Sequence, residues 1–267
     1  SPDSTEVGLL KNMLQKAGAA LWHMTNMPTT ISFQAPDFQA AFPVVCLGTD
    51  FIWVDKYGKR FICETEGGDV KHQYTIPASL FDVDRLEYPR IPAHVVFGEQ
   101  VRRRAPLYPG IIGYNRDIYK WSPDNSVEIA KGWITKADSL DELAKKISVD
   151  ASVLKVTITG FNAGCAAGSD AQFGRRKEDM TAIEGPPFYA IQVYPGMFCS
   201  LGGARRDKEA RVLDPDGKPI ARLYEAGELG CFMGMLYQGG CTLGDGLVFG
   251  QVAARNAVAQ KSIETEA

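Results

Sequence analysis

Two glycine-bearing runs in the last third of the chain carry the residue types and spacing best suited to chemistry. They are Leu223-Tyr224-Glu225-Ala226-Gly227-Glu228-Leu229-Gly230 and Tyr237-Gln238-Gly239-Gly240-Cys241-Thr242-Leu243-Gly244. The pattern reads as a short strand, a glycine turn, a crossing segment, and a second glycine turn that opens a helix over Leu247–Asn256. Glycine turns let backbone approach something flat and polar, and a helix start offers unpaired N–H groups to anionic oxygen. On spacing alone, a packing role for the same glycines stays equally open.

The rest of the chain bounds what such a site could serve. At 267 residues it can bury a sizeable core and divide into domains. A formal net charge of −3 gives no electrostatic case for nucleic acid or an anionic membrane. Arg102-Arg103-Arg104 is the sole basic run and reads as a solvated helix end. No apolar run reaches the length of a spanning helix. The six cysteines, at 46, 63, 165, 199, 231 and 241, fit neither Cys-x-x-Cys metal sites nor a disulfide scaffold. Buried thiols in a reducing compartment, the cytoplasm, are the default expectation. With only His23, His72 and His94, no zinc site is expected.

The elements that must position the glycine runs follow from periodicity. Val7–Ala20 has helical spacing and feeds a strand. Phe51–Ile62 reads as a β-hairpin around Lys56-Tyr57-Gly58-Lys59. Pro89–Phe97 reads as a buried strand entered through a proline turn. Asp138–Ile147 is an amphipathic helix with Asp138 as its cap, and Val153–Cys165 a second helix ending near Gly164 or Gly168. Strands are expected over Val193–Glu228, with Asp214-Pro215-Asp216-Gly217 as a turn. The sum is a mixed α/β and α+β architecture, with a frayed tail over Gln260–Ala267.

Further motifs stand in fixed order: Pro187-Phe188-Tyr189-Ala190-Ile191, Tyr194-Pro195-Gly196, Leu201-Gly202-Gly203-Ala204, Val212 through Ile220, then the two glycine runs and Val248-Phe249-Gly250. This order resembles the C-terminal part of the FAD-dependent fumarate reductase/succinate dehydrogenase flavoprotein superfamily, nearest to the branch holding the 3-ketosteroid dehydrogenases. The resemblance implies a substrate-capping domain, here 46–185, inserted in an FAD-binding domain represented by 1–45 and 186–267. Gly58-Lys59-Arg60-Phe61 through Glu64 looks like the hairpin that begins that cap. Family members open with a Gly-x-Gly-x-x-Gly fingerprint, and these residues contain none. The expectation is therefore a C-terminal part that alone is inactive and holds FAD weakly or not at all. The missing part, a partner chain or a second copy would then cover Val7–Leu21 and Val248–Val258.

The resemblance also implies roles. Gly227 and Glu228 match a position that meets ribityl or ribose hydroxyls; a turn cap is the alternative for Glu228. Gly239, Gly240 and Leu243 match the turn lying against the isoalloxazine. Tyr237 stands where fumarate-reducing members carry an arginine, and Cys199 where they carry a histidine. Lys71 and His72 occupy the neighbourhood of their proton-donating arginine. A tyrosine here resembles the ketosteroid dehydrogenases, in which a phenol and a backbone N–H, by position that of Cys241, polarise a keto oxygen. Tyr237 as an aromatic lid is the alternative. A second catalytic tyrosine is expected in the cap, where Tyr57, Tyr114 and Tyr119 are available and no motif selects among them; Tyr119 is taken as the candidate, with surface or core packing as its alternative. Phe232, Met233, Met235 and Leu236 would line an apolar pocket. The implied function is hydride transfer between FAD and an apolar, steroid-like enone or ketone substrate. The rivals are an inert cap module and a dicarboxylate reductase using Arg205, Arg206 or Arg222.

Overall fold

The computed structural model describes residues 4–65, 75–108, 117–197, 199–233, 237 and 239–260. In chain order its elements are α1 (Ser4–Lys16), β1 (Leu21–Trp22), β2 (Thr29–Gln34), β3 (Ala41–Pro43), β4 (Phe51–Val54), α2 (Thr75–Ala78) and β5 (Ala93–Phe97). There follow α3 (Glu99–Arg104), α4 (Ser126–Ala130), β6 (Ile134–Ala137), α5 (Leu140–Lys146) and α6 (Ala151–Ala167). The chain closes with β7 (Phe188–Met197), β8 (Gly203–Ala204), β9 (Arg211–Leu213), β10 (Pro219–Tyr224) and α7 (Cys241–Ala259). They form two compact units, one from residues up to 28 and from 197 onward, the other from the residues between. The breaks fall at 28/29 and 196/197 rather than at 45/46 and 185/186, because β2 and β3 join the sheet of the second unit through β7.

That sheet is six-stranded, ordered β3-β2-β7-β5-β4, with β6 also paired to β7. Strand alternation sends its side chains into two cores. Phe51, Trp53, Val95 and Phe97 face an aromatic cluster with Phe33, Phe42, Trp121 and Trp133. Ile52, Val54 and Val96 face Leu143, Leu154, Ile158 and Phe161 of α5 and α6. All five residues of β5 are buried, as the Pro89–Phe97 pattern requires.

Two local expectations change. Of the Phe51–Ile62 hairpin only β4 forms as a strand; Val54 bridges Arg60, and the ladder stops there. The reason is Arg60 itself. Its guanidinium turns inward to Glu64 (2.9 and 2.8 Å) and to Asp170 (3.1 and 2.9 Å), over the rings of Phe161 and Phe173. Helix α5 is capped by Ser139, not Asp138: Ser139 Oγ accepts from Glu142 N–H at 3.1 Å, and Glu142 Oε2 accepts from Asp138 N–H at 2.8 Å. Helix α6 starts at an Asp150 cap and ends on Gly168.

In the first unit α1 leads into β1, which pairs with β8 through Leu21↔Ala204 and Trp22↔Gly203. Strands β9 and β10 form a hairpin whose turn is the expected Asp214–Gly217, with Asp214 Oδ1 accepting from Asp216 N–H (3.0 Å) and Lys218 N–H (2.8 Å). A small core of Ala19, Ala204 and Val212 lies beneath.

The Arg60 cluster yields a stability prediction. Replacing Arg60 with Met leaves Glu64 and Asp170 buried with reduced compensation, which should cost roughly 3–5 kcal/mol in urea unfolding. A loss below about 1 kcal/mol, the surface-pair range, would contradict the assigned role.

Candidate functional site

Helix α7 begins six positions before the expected Leu247, directly on the second glycine turn. Gly240 is its N-cap at φ +86°, a left-handed conformation that side-chain-bearing residues adopt at a cost. Among the described residues the Gly240 cap makes no side-chain cap hydrogen bond, and any helix start has N–H groups without intrahelical partners. A Cβ at Gly240 or Gly244 would meet nothing within 4 Å. Gly239 and Gly240 are exposed, and Leu243 is 74% exposed, with Phe232, Leu247 and Val248 also presenting apolar surface. An open, uncapped, glycine-floored helix start with an apolar rim suits a flat ring carrying an electron-rich edge.

The helix runs through Gly244 and Gly246 because Asp245 between them is an anchor. Asp245 is buried; its Oδ1 accepts from Gly227 N–H at 2.8 Å, and its Oδ2 pairs with Arg206. Gly227, at φ +100°, lies so close to Gly246 that a Cβ on either would stand 3.7 Å from the other's Cα. Arg206 also holds Glu225 at 3.2 Å and lies over the Phe249 ring. Both glycine turns are thus tied to one buried charge cluster. Burial pushes the Glu225 carboxyl up to about 7, against the opposing pull of Arg206.

The crossing segment is held from below. A Cβ on Gly203 would fall 2.3 Å from Gly230 N, so the two backbones touch. Trp22 Nε1–H donates to Gly230 O (3.0 Å), and His23 Nδ1 lies 2.8 Å from Cys231 O, the two rings stacked.

Tyr237 is only 6% exposed and packs with Leu201 and Cys231, bordered by Cys199, Met233 and Cys241. Burial raises its phenol pKa, opposed by hydrogen bonds from the Thr242 side chain and the Gly240 backbone. The phenol therefore sits at the start of α7. Glu228 is exposed at the first turn, and desolvation of its carboxylate raises its pKa. The structure thus brings Gly227, Tyr237, Gly239, Gly240, Cys241 and Leu243 around the start of α7 and its feeding turn, all within the first unit.

Tyr119 lies in the second unit. Its hydroxyl donates to Glu128 Oε1 at 2.7 Å amid Phe38, Phe42, Trp121 and Trp133, and burial raises its pKa strongly. Tyr57 donates to Glu87 at the surface. Tyr114, Lys71, His72, Met235, Leu236 and Gln238 lie outside the described residues. None of the six cysteines forms a disulfide, and no metal-binding cluster occurs among the described residues. The anchors that sequence reasoning missed are Asp245, Glu225, Trp22 and His23. Arg206, weighed as a carboxylate clamp, is instead committed to two internal carboxylates. An acid between two helical glycines was the one available signal.

A family model described as FAD binding domain matches residues 4–243. The chain belongs to that family. It is 32% identical over 212 residues to the NADH:acrylate oxidoreductase of Vibrio harveyi, covering 78% of this chain and 18% of that protein. It is 33% identical over 186 residues to a 3-oxosteroid 1-dehydrogenase of Mycolicibacterium smegmatis, covering 63% and 31%. A solved 3-ketosteroid delta1-dehydrogenase from Sterolibacterium denitrificans superposes with a TM-score of 0.72 at 26% identity, over 98% of this chain and 48% of that one. The chain thus spans under a third of these two curated relatives' length. Membership of the FAD-dependent fumarate reductase/succinate dehydrogenase superfamily, with ketosteroid dehydrogenase-like relatives, follows.

Glu225 gives this site a pH signature. Its folded pKa lies above the ordinary 4.5, so its favourable contribution is complete below pH 4.5 and is lost as pH rises through about 7. Glu225→Gln should therefore gain stability relative to the parent between pH 5 and 8, by on the order of 2–3 kcal/mol. Denaturation midpoints of both proteins at the two pH values check this. A mutant-minus-parent difference that does not change with pH would contradict it.

Proposed function

We propose that this chain forms the flavin- and substrate-contacting C-terminal part of an FAD-dependent oxidoreductase acting on an apolar, steroid-like enone or ketone. The observation that carries the reading is Tyr237, a buried phenol hydrogen-bonded at the start of α7, where carboxylate-reducing relatives are expected to have an arginine. FAD, when bound, supplies two-electron hydride chemistry. Gly239, Gly240 and Leu243 would hold its ring, the uncapped N–H groups of α7 would stabilise negative charge on it, and Glu228 with Gly227 would meet its hydroxyl-bearing chain.

On the substrate side, Tyr237 O–H and Cys241 N–H donate to the carbonyl oxygen. A neutral phenol can do this as enolate charge develops, and its raised pKa keeps it protonated. The role of second acid or base stays with the cap, where Tyr119 is the candidate and Glu128 its existing acceptor. The first unit, residues up to 28 and from 197 onward, would belong to the FAD-binding domain and the second unit to the substrate cap.

Dicarboxylate reduction is the second reading, favoured by a Klebsiella pneumoniae relative named NADH:fumarate oxidoreductase. Against it, Arg206 is buried on Glu225 and Asp245 and so is not available to clamp a substrate carboxylate. In this proposal most phosphate contacts to FAD come from an N-terminal part, and the chain alone retains little flavin. Exposed Leu9, Leu10, Met13, Leu247 and Val248 support a covering partner, either that part or a second copy.

The test is Tyr237→Phe in the full-length protein, since the chain alone should elute from gel filtration without flavin absorbance. Loss of this donor should slow single-turnover flavin reduction by a steroid about a hundred- to a thousandfold, or roughly 2.7–4 kcal/mol, with stability and flavin spectrum unchanged. Nearly full turnover would make Tyr237 an aromatic lid. Turnover of fumarate but not of the steroid would select the dicarboxylate reading.

A further inference from the structure

Asp245 and Glu225 share one cation, and they share it unequally. Asp245 is met by Gly227 N–H at 2.8 Å, by Arg206 and by the Cys231 thiol. Glu225 is met by Arg206 Nη1 in an ion pair at 3.2 Å whose geometry makes no hydrogen bond. Both of its carboxyl oxygens are buried, and neither finds a hydrogen-bond partner among the described residues. A buried acceptor in that position is costly when it carries charge.

The surroundings give Glu225 little chance of another partner. It is 8% exposed, and the crossing segment lies over it: a Cβ on Gly230 would stand 2.7 Å from Glu225 Oε2. The charged groups that face it are Arg206, from the segment between β8 and β9, and Asp245, from α7. The approach to β9 meets it through backbone, Glu225 N–H donating to Ala210 O at 3.1 Å. Arg211 of β9 is turned to Asp207 and Glu209 instead. From the crossing segment come the Gly230 backbone and the Cys231 thiol, which is engaged with Asp245.

One guanidinium cannot neutralise two carboxylates. With both acids ionised the cluster buries an uncompensated negative charge, and a proton on the less well-partnered acid removes it. Burial accordingly raises the Glu225 carboxyl to about 7.

We propose that Glu225 is a positioning residue of the glycine-turn site and acts as a proton-controlled latch. Protonated, it leaves Arg206 to Asp245, and Asp245 holds the turn at Gly227 onto α7. Ionised, it draws Arg206 away from Asp245, the bridge loosens, and the two glycine turns lose their fixed spacing. Flavin is then held more tightly in the protonated state, a consequence that rests on reading these turns as the flavin site.

Gly227 N–H reports on the bridge in the full chain without any flavin. In glycine-labelled protein followed by NMR, its resonance should move with a midpoint near pH 7. It should stay fixed over the same range in Glu225→Gln, whose amide keeps the side-chain volume and does not ionise. In the full-length protein, FAD should bind roughly tenfold more weakly at about pH 8.5 than at about pH 5.5, and Glu225→Gln should remove that difference. A Gly227 resonance that does not move would overturn the latch, and so would the same movement in the Glu225→Gln protein. Movement in the parent alone, with FAD affinity independent of pH, would uphold the latch and contradict the flavin assignment of the turns.

Discussion

Asp245 accepts a hydrogen bond from the Gly227 backbone with one oxygen and pairs with Arg206 through the other, and the geometry of the glycine-turn site depends on that bridge. Through it the turn after β10 and the first turn of α7 are held as one body. Arg206 in turn is shared with Glu225 and stacked on Phe249. A buried cluster of one cation and two carboxylates is a costly way to gain stability, since desolvation offsets most of the attraction. What it supplies is position. Two backbone turns that would otherwise be linked only by a chain crossing are fixed so that a Cβ added at Gly227 or Gly246 would be in van der Waals contact with the other.

The second unit uses the same device. Arg60 and Arg175 converge on Glu64, with Asp170 completing the set and Arg175 also donating to the carbonyls of Phe51 (2.6 Å) and Thr49 (3.0 Å). This locks the segment after β4 onto the loop leaving α6. In both units these clustered charges hold backbone, and at the glycine-turn site the groups assigned to chemistry are backbone N–H groups, the Tyr237 phenol and the exposed Glu228.

The features legible in the sequence were those set by neighbours along the chain. The glycine turns, the doubly buried β5, the Asp214–Gly217 turn and the end of α6 at Gly168 each follow from a few adjacent residues. What was not legible was decided at a distance. Arg60 reaches Asp170 across 110 positions, and this stops the expected hairpin; Arg206 reaches Asp245 across 39, and this extends α7 through two glycines. The cap of α5 shifted by one residue because Ser139 and Asp138 offer nearly equivalent chemistry and geometry chose between them. The family was readable from motif order, whereas the burial of Tyr237 and the commitment of Arg206 needed coordinates.

The central claim is that the uncapped start of α7 carries the flavin. Gly240 and Gly217 provide a matched pair: both have positive φ (+86° and +79°), and a Cβ on either meets nothing within 4 Å. Valine at each position therefore imposes similar backbone strain, but only Gly240 lies on the proposed ring-binding surface. The measurement is flavin absorbance retained per protein after gel filtration of the full-length Gly240→Val and Gly217→Val proteins. The account predicts that Gly240→Val elutes folded and largely colourless while Gly217→Val keeps its flavin. Stoichiometric FAD on both would contradict it.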